Sequence, residues 1–265
     1  MVLNKEETIL IRRIQELAKK AYHKGIRTYT DFLNLNEISI FHSMENELLN
    51  VPYAIYGGYE NAERVKICFY GDIESPFKNI SSRLEAELDQ FPISCLHIFP
   101  SSAKFASVLD HRDYLGAIMN TGTTRNKIGD IHVVEKEAYV YCDQVIGNYL
   151  KDALTRVRHN NVVVEITKEK PDASALEYKE VVGSVSSFRL DSMVALAFHT
   201  SRSGITGLIE GEKVFVNSRL ITSNSYMLKE GDIVSVRGYG KFRFESQGNM
   251  TKKGRIYAKI LLYGR

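Results

Sequence analysis

The run FRLDSMVALAFHTSRSGITGLIEGEKVFVNSRLITSNSYMLKEGDIVSVRGY, residues 188–239, constrains the fold of this chain more than any other stretch. Leu190, Val194, Ala195 and Phe198 form one stripe at helical spacing, and Ser203, Ile205, Leu208 and Ile209 begin and line a second helix that Gly211 should end. VFVN and IVSV then read as strands separated by the turn residues SRL and EGD, with alternate side chains pointing inward as a half-buried hairpin demands. Arg189, Arg202, Lys213, Arg219, Lys229, Arg237, Lys241 and Arg243 are left around that core for solvent or phosphate. Guanidinium groups suit phosphate because the fork is bidentate and permanently charged. A helix N-terminus at residues 201–203 would add backbone N–H donors for an anion.

Charge distribution strengthens that reading. Residues 184–265 hold 13 Lys and Arg against 6 Asp and Glu, a net of +7, whereas the preceding 183 residues hold 22 against 26, a net of −4. Such a field draws in polyanions and gives salt-sensitive affinity for phosphate backbones. The cations do not line one face of a long apolar helix, so a membrane surface is not the expected partner. No stretch is long and apolar enough to span a bilayer, and MVLNKEETILIRRIQELAKK has no uninterrupted apolar signal core. The expectation is a soluble, cytoplasmic protein. Cys68, Cys95 and Cys142 form no C-x-x-C pair, and the seven histidines show neither H-x-x-x-H nor H-E-x-x-H spacing. Neither a disulfide framework, a metal site nor any cofactor is assigned.

Elsewhere the pattern is α+β. Residues 5–22 carry Ile9, Ile14, Leu17, Ala18 and Ala21 at near-helical spacing, predicting an amphipathic helix that ends at Gly25. A second helical stretch is expected through Phe32 and Leu33, capped by Thr30 or Asp31, and a third over 37–49. AIYGGY and VKICFYGD then read as short strands, completing a small N-terminal α+β domain over residues 1–75. A central domain is expected over 76–170. It should hold a segment at 79–90 that is helix or part strand, the strand ISCLHIF, a helix over 103–120, strands IHVVEK and EAYVYCD about a turn, a helix over 145–157 and the strand VVVEIT. That order predicts a ferredoxin-like, RRM-like sandwich. The polar, proline-bearing linker at 168–180 marks the next boundary, and residues 181–265 form the third domain.

The C-terminal pattern R-L-D, then S-R, G-x-V-x-V-N, L-K-x-G-D and V-R-G resembles the S-four-type RNA-binding fold, named for a small-subunit ribosomal protein. Arg189, Asp191, Ser201, Arg202, Val214, Val216, Asn217, Gly231 and Asp232 carry the match. GGYENAER at 57–64, Lys104-Phe105 and HRDYLGAIMNTGTTRNKIGDI at 111–131 extend it, and the chain is similar to the YlmH family of bacterial proteins. TGTTR at 121–125 departs from the apolar segment expected there. The resemblance implies three small domains and a role in ribosome-associated quality control, binding stalled large ribosomal subunits that carry peptidyl-tRNA and supporting alanine tailing. It also implies a link to cell division.

The resulting expectation is a non-enzymatic protein that docks on structured ribosomal RNA and tRNA of the large subunit, with no small-molecule substrate. The RNA-contacting set is Arg189, Ser201, Arg202, Lys213, Asn217, Arg219, Lys229, Arg237, Lys241 and Arg243, with Arg189, Arg202 and Lys213 in a cleft. Lys104, Arg112, Arg125 and Lys127 form a second candidate patch, set against a purely structural reading in which Arg112 pairs with Asp113. Glu60 and Arg64 read as an i,i+4 helical pair. Two other classes stay open. One is an RNA-modifying enzyme, pseudouridine-synthase-like, with Asp113, Asp130 and Glu135 as the available carboxylates. The other is a scaffold for division machinery, which requires an exposed apolar patch on the N-terminal domain. The HRD at 111–113 lacks the Asn that a kinase catalytic loop needs, since Ile118 stands there. Asp191 is expected to orient Arg189 or cap a helix rather than catalyse.

Overall fold

A computed structural model describes residues 5–48, 51–60, 62–71, 90–168 and 178–263, with the side chain of Arg202 outside the description. The chain divides into two compact units, Met1–Ala173 and Ser174–Arg265. The fold is α+β, laid out as an N-terminal α+β part, a central ferredoxin-like sandwich and a C-terminal part of two helices on a six-stranded sheet.

The N-terminal part begins with α1 (Lys5–Lys24), whose apolar stripe buries Ile14, Leu17, Ala18 and Ala21. β1 (Thr28–Tyr29), β2 (Tyr53–Tyr56) and β3 (Lys66–Phe69) make an antiparallel sheet in the order β1-β3-β2. The two further helices expected at 30–33 and 37–49 are a single one, α2 (Leu35–Met44). Asn34 starts it, accepting the amides of Asn36 and Glu37 while Glu37 takes the Asn34 amide in return. Leu33 instead bridges Val65, and the Thr30 hydroxyl accepts the Ile67 amide, so tertiary pairing overrides local helical pattern. Phe41, Met44, Ile67 and Phe69 complete the core between helices and sheet.

The central part carries β4 (Ile93–Pro100), α3 (His111–Asn120), β5 (Ile128–Val134), β6 (Glu137–Asp143), α4 (Gln144–Ala153), β7 (Arg156–Val157) and β8 (Asn160–Thr167). The sheet order β5-β6-β4-β8-β7 is antiparallel throughout. Without the short β7, this is the split-βαβ order expected from sequence. α3 starts at His111 and not at 103, because Asp110 and Asp113 form a reciprocal capping box there. Phe105 and Val108, apolar residues inside the helix expected over 103–120, are accordingly 82% and 73% exposed. The second helix likewise stops at Ala153, and residues 156–157 pair as β7. The segment expected at 79–90 lies outside the described residues except Gln90.

The C-terminal unit contains β9 (Tyr178–Val185), α5 (Leu190–Ala197), α6 (Arg202–Glu210), β10 (Val214–Val216), β11 (Arg219–Leu220), β12 (Ile233–Val236), β13 (Gly240–Met250) and β14 (Ile256–Tyr263). All eight lie in one layered body, with the two helices on one face of a sheet ordered β11-β10-β12-β13-β14-β9. Leu190, Met193, Val194, Ala197, Ile205 and Ile209 pack against Val214, Val216, Val234, Phe242, Phe244, Ala258 and Ile260. Each such fully buried aliphatic or aromatic side chain contributes about 1.5–3 kcal/mol. The linker read at 168–180 reaches too far, since residues 178–180 are already strand; backbone pairing of Tyr178 with Tyr263 sets that start.

Candidate nucleic-acid interface

The R-L-D tripeptide sits where a bridge from Arg189 to Met227 turns into α5. Asp191 is buried, 8% exposed, and accepts from Arg189 Nε at 3.2 Å and Nη2 at 3.1 Å, and from the Ser192 amide at 2.7 Å. Burial pushes this carboxyl up, but the Arg189 hydrogen bonds and charge outweigh it and hold the group below its usual range. A guanidinium has five N–H donors, so the two spent on Asp191 leave three. The Arg189 side chain is 43% exposed, and its plane is fixed by a partner that is itself fixed. That is a pre-oriented fork for a phosphate.

Ser201 is the N-cap of α6, its Oγ accepting the Gly204 amide at 3.3 Å. Arg202 is the first residue of that helix; its side chain lies outside the description. The segment 224–226 receives the amides of Leu190 and Asp191, and the Asn224 side chain donates to Glu210. The start of α5 and the end of α6 are therefore neighbours, and the start of α6 lies at the other end of the pair. With α5 eight residues long, about 12 Å separates the two ends. Lys213 is exposed where α6 feeds into β10, and its carbonyl accepts the Arg237 amide.

The remaining residues divide by the strand period. Phe242 and Phe244 point into the core, so Lys241 and Arg243 lie on the face away from the helices. There Lys241 Nζ stands 4.9 Å from the Tyr263 ring, Arg237 lies 5.3 Å over Phe215, and Arg243 pairs with Glu245 at 2.8 Å. Asn217 has a turn-forming role: at φ 49° its side chain donates to Asp232 at 2.8 Å and accepts the Ile233 amide at 3.0 Å. Asp232 also accepts the Lys229 amide at 2.8 Å, leaving the exposed Lys229 side chain on a braced turn. Arg219 is exposed at the start of β11.

The second patch does not gather. Lys104 is exposed beside the Phe105 ring, and Arg112 is exposed on the first turn of α3. Arg125 and Lys127 lie past the other end of that helix. Arg125 donates to the carbonyls of Ile128 and Gly129, and burial together with the neighbouring Arg64 charge lowers its pKa to about 10. Lys127 pairs with Asp31. Asp113 pairs with Arg158 rather than with the expected Arg112.

Residues 57–60 and 62–64 of GGYENAER are not in the helical turn that a Glu60–Arg64 pair would need. Asp130 gathers it, accepting from the Tyr59 hydroxyl at 2.7 Å and from the amides of Glu63 and Arg64. Arg64 donates to the carbonyls of Phe32, Arg125 and Ile128, and burial holds its pKa below the ordinary value despite Glu37 and Asp130. Burial, then Asp130, push the Tyr59 hydroxyl up. Beside it, Gly58 adopts φ +103°, and a Cβ there would stand 2.3 Å from the Tyr141 ring. The motif therefore ties the N-terminal part to the central sheet. Of the carboxylates open to an enzyme, Asp130 and Asp113 are spent on these contacts, and Glu135 forms the β5–β6 turn at φ 53°.

Sequence reasoning missed β9, β13 and β14 and the basic tip between the last two. The signal was present as the alternation of Phe242 with Phe244 and of Ala258, Ile260 and Leu262, and as Lys252, Lys253 and Arg255 around Gly254.

Residues 86–170 match the domain family described as "Putative RNA-binding domain in YlmH", and residues 188–234 match the S4 domain. The ribosome-associated protein quality control protein P2 of Bacillus subtilis (strain 168) is 29% identical over 254 residues, covering 94% of this chain and 92% of that one. The solved structure of cell division protein ylmH from Streptococcus pneumoniae aligns with a TM-score of 0.50 at 20% identity, over 63% of this chain and 94% of that chain, a likeness of fold.

Proposed function

For a chain that carries a YlmH-type RNA-binding domain followed by an S4 domain, we propose a non-enzymatic RNA-binding role in ribosome-associated quality control, docking on structured RNA of the large ribosomal subunit. The observation that carries this reading is the Asp191-braced Arg189 guanidinium at the start of α5, in the third of the chain with a net charge of +7. Structured RNA exposes phosphates and minor-groove hydroxyls, so recognition is chiefly of shape. Arg189, Arg202 and Lys213 supply the helix-side grip, and Ser201 sets the start of α6. Arg219 and Lys229 flank that side, and Arg237, Lys241 and Arg243 serve the sheet face. Asn217 acts through the turn it builds. Lys104 and Arg112 remain as central-domain contacts, whereas Arg125 and Lys127 hold the domain together. The quality-control role is that of the B. subtilis relative, a ribosome-associated protein quality control protein, carried over to this chain; tRNA on a stalled subunit, as structured RNA with an exposed phosphate backbone, is proposed as a second partner.

Ultraviolet crosslinking followed by sucrose-gradient sedimentation of a cell lysate tests this. The expected result is comigration with large subunits and crosslinks to ribosomal RNA, both reduced by Arg189→Ala with Arg202→Ala. Sedimentation only at the top of the gradient, or a double variant that crosslinks as well as the native chain, would overturn the reading.

A further inference from the structure

The β13–β14 hairpin reaches past residues 188–234, the S4-matched stretch, and ends in QGNMTKKGR, residues 247–255. That tip holds Lys252, Lys253 and Arg255 and no acidic residue. Residues 247–250 and 252–255 are exposed, Met250 to 69%. The turn is nevertheless closed by its own hydrogen bonds: the Thr251 amide to the Arg255 carbonyl at 2.6 Å, the Arg255 amide to Thr251 Oγ1 at 3.0 Å and the Gly254 amide to the Thr251 carbonyl at 2.9 Å. Gly254 takes the φ of +73° that this closure needs. The Arg255 guanidinium reaches back to the Ser184 hydroxyl and carbonyl on β9, which anchors the tip to the sheet.

Behind the tip, the face of the sheet away from the helices continues the charge. Arg243 and Lys259 lie there, each with one acidic partner, Glu245 and Glu180, and Lys241 and Arg237 lie over aromatic rings. Residues two apart on a strand are about 6.6 Å apart on one face. Lys241 and Arg243 are one such step apart on β13 and Lys259 stands on β14, and with Arg237 these four cations outnumber the two acids, Glu245 and Glu180, on that face. The tip is thus a projecting, braced cationic end on a sheet whose outer face carries a net positive charge.

We propose that the β13–β14 hairpin is a second RNA contact, separate from the helix pair, in which Lys252 and Lys253 at the tip grip the phosphate backbone of structured RNA. The charge complementarity of an acid-free cationic tip to a polyanion selects this occupant. The proposal rests on the RNA-binding reading given above.

The test titrates salt against binding of the full-length protein to purified large ribosomal subunits, comparing the native chain with Lys252→Gln/Lys253→Gln and, separately, with Arg189→Gln. With about 0.7–0.9 of slope per phosphate contact, the range between single-stranded and duplex nucleic acid, the tip variant should lose about 1.4–1.8 in the slope of log K against log salt and bind roughly tenfold or more weakly at 0.1 M salt. Both lysines are exposed, and circular dichroism of the variant checks that the fold is kept. Native affinity and slope in the tip variant, with Arg189→Gln weakened, would overturn the proposal and leave the RNA-binding reading standing. Failure of the native chain to bind subunits would overturn both. A parallel measurement uses vesicles of anionic phospholipid: if the tip variant loses vesicle binding and keeps subunit binding, the hairpin is a membrane contact and the proposal fails.

Discussion

Replacing Lys66 with Met should destabilise the first unit by about 3 kcal/mol. The Lys66 side chain is 2% exposed and meets Asp143, 15% exposed, at 2.6 Å; it also donates to the Pro92 carbonyl and lies 5.4 Å over the Phe32 ring. It thereby joins β3 of the N-terminal part to the end of β6 and the start of α4. Removing one partner of a buried pair costs about 3–5 kcal/mol, because the other charge is left desolvated. Asp143 keeps the Val145 amide and some solvent, which favours the lower end, about 3 kcal/mol. For a unit of this size that is a fall in Tm of roughly 6–12 °C. The pH dependence follows from Asp143. Burial alone pushes its carboxyl up, yet the Lys66 bond and charge bring it below the usual range, so in the native chain its share of stability is present above pH about 3.9 and lost as pH falls through the depressed value. With Met at position 66 burial dominates and the folded pKa rises above the unfolded one. The penalty is then largest near neutral pH, shrinks as pH falls through about 4 and vanishes only below the depressed Asp143 value of the native chain. Scanning calorimetry of both proteins at pH 3 and pH 7 measures this. A shift below about 2 °C at pH 7, or one equally large at pH 3, would refute the reasoning.

Three further outcomes are expected. Gly58→Ala must find room for a Cβ 2.3 Å from the Tyr141 ring at a φ that side chains rarely adopt, and urea unfolding should show a loss of about 2–3 kcal/mol. Asn217→Ala removes the links to Asp232 and Ile233 at a positive φ, and should cost about 1–2 kcal/mol by the same assay; Asn217→Asp should not recover it at neutral pH, because a carboxylate cannot donate to Asp232 and repels it. Asp191→Asn should weaken RNA binding with little change at high salt, since it releases the Arg189 fork rather than removing it; equal affinity for native chain and variant at 0.1 M salt would speak against the bracing role.

Local signals were legible where one face of an element carries the pattern. The stripe Leu190, Val194 and the VFVN and IVSV alternation placed α5, β10 and β12, and the strand order of the central sandwich followed from the βα, ββ, αβ succession. The helix expected at Phe32 was lost because Leu33 pairs with Val65 and Thr30 with Ile67, contacts between residues more than thirty apart that no local window contains. Phe105 and Val108 misled for a similar reason: the Asp110–Asp113 box decides where α3 begins, and apolar residues before it are simply exposed. At the site, charge and motif named Arg189 and its partner Asp191. They did not reveal that Lys241 and Arg243 lie on the opposite face of the sheet, which depends on pairing with β12 and β14, or that Arg125 and Lys127 are occupied by carbonyls and by Asp31.

The central claim is that the C-terminal unit binds RNA through its phosphates. The equilibrium constant for large ribosomal subunits, measured from 50 to 300 mM salt with the isolated native protein, tests it most directly. With Arg189, Arg202 and Lys213 each releasing counterions, log K should fall with log salt at a slope steeper than about −2.7. A slope near zero, or no measurable binding at 50 mM salt, would contradict it.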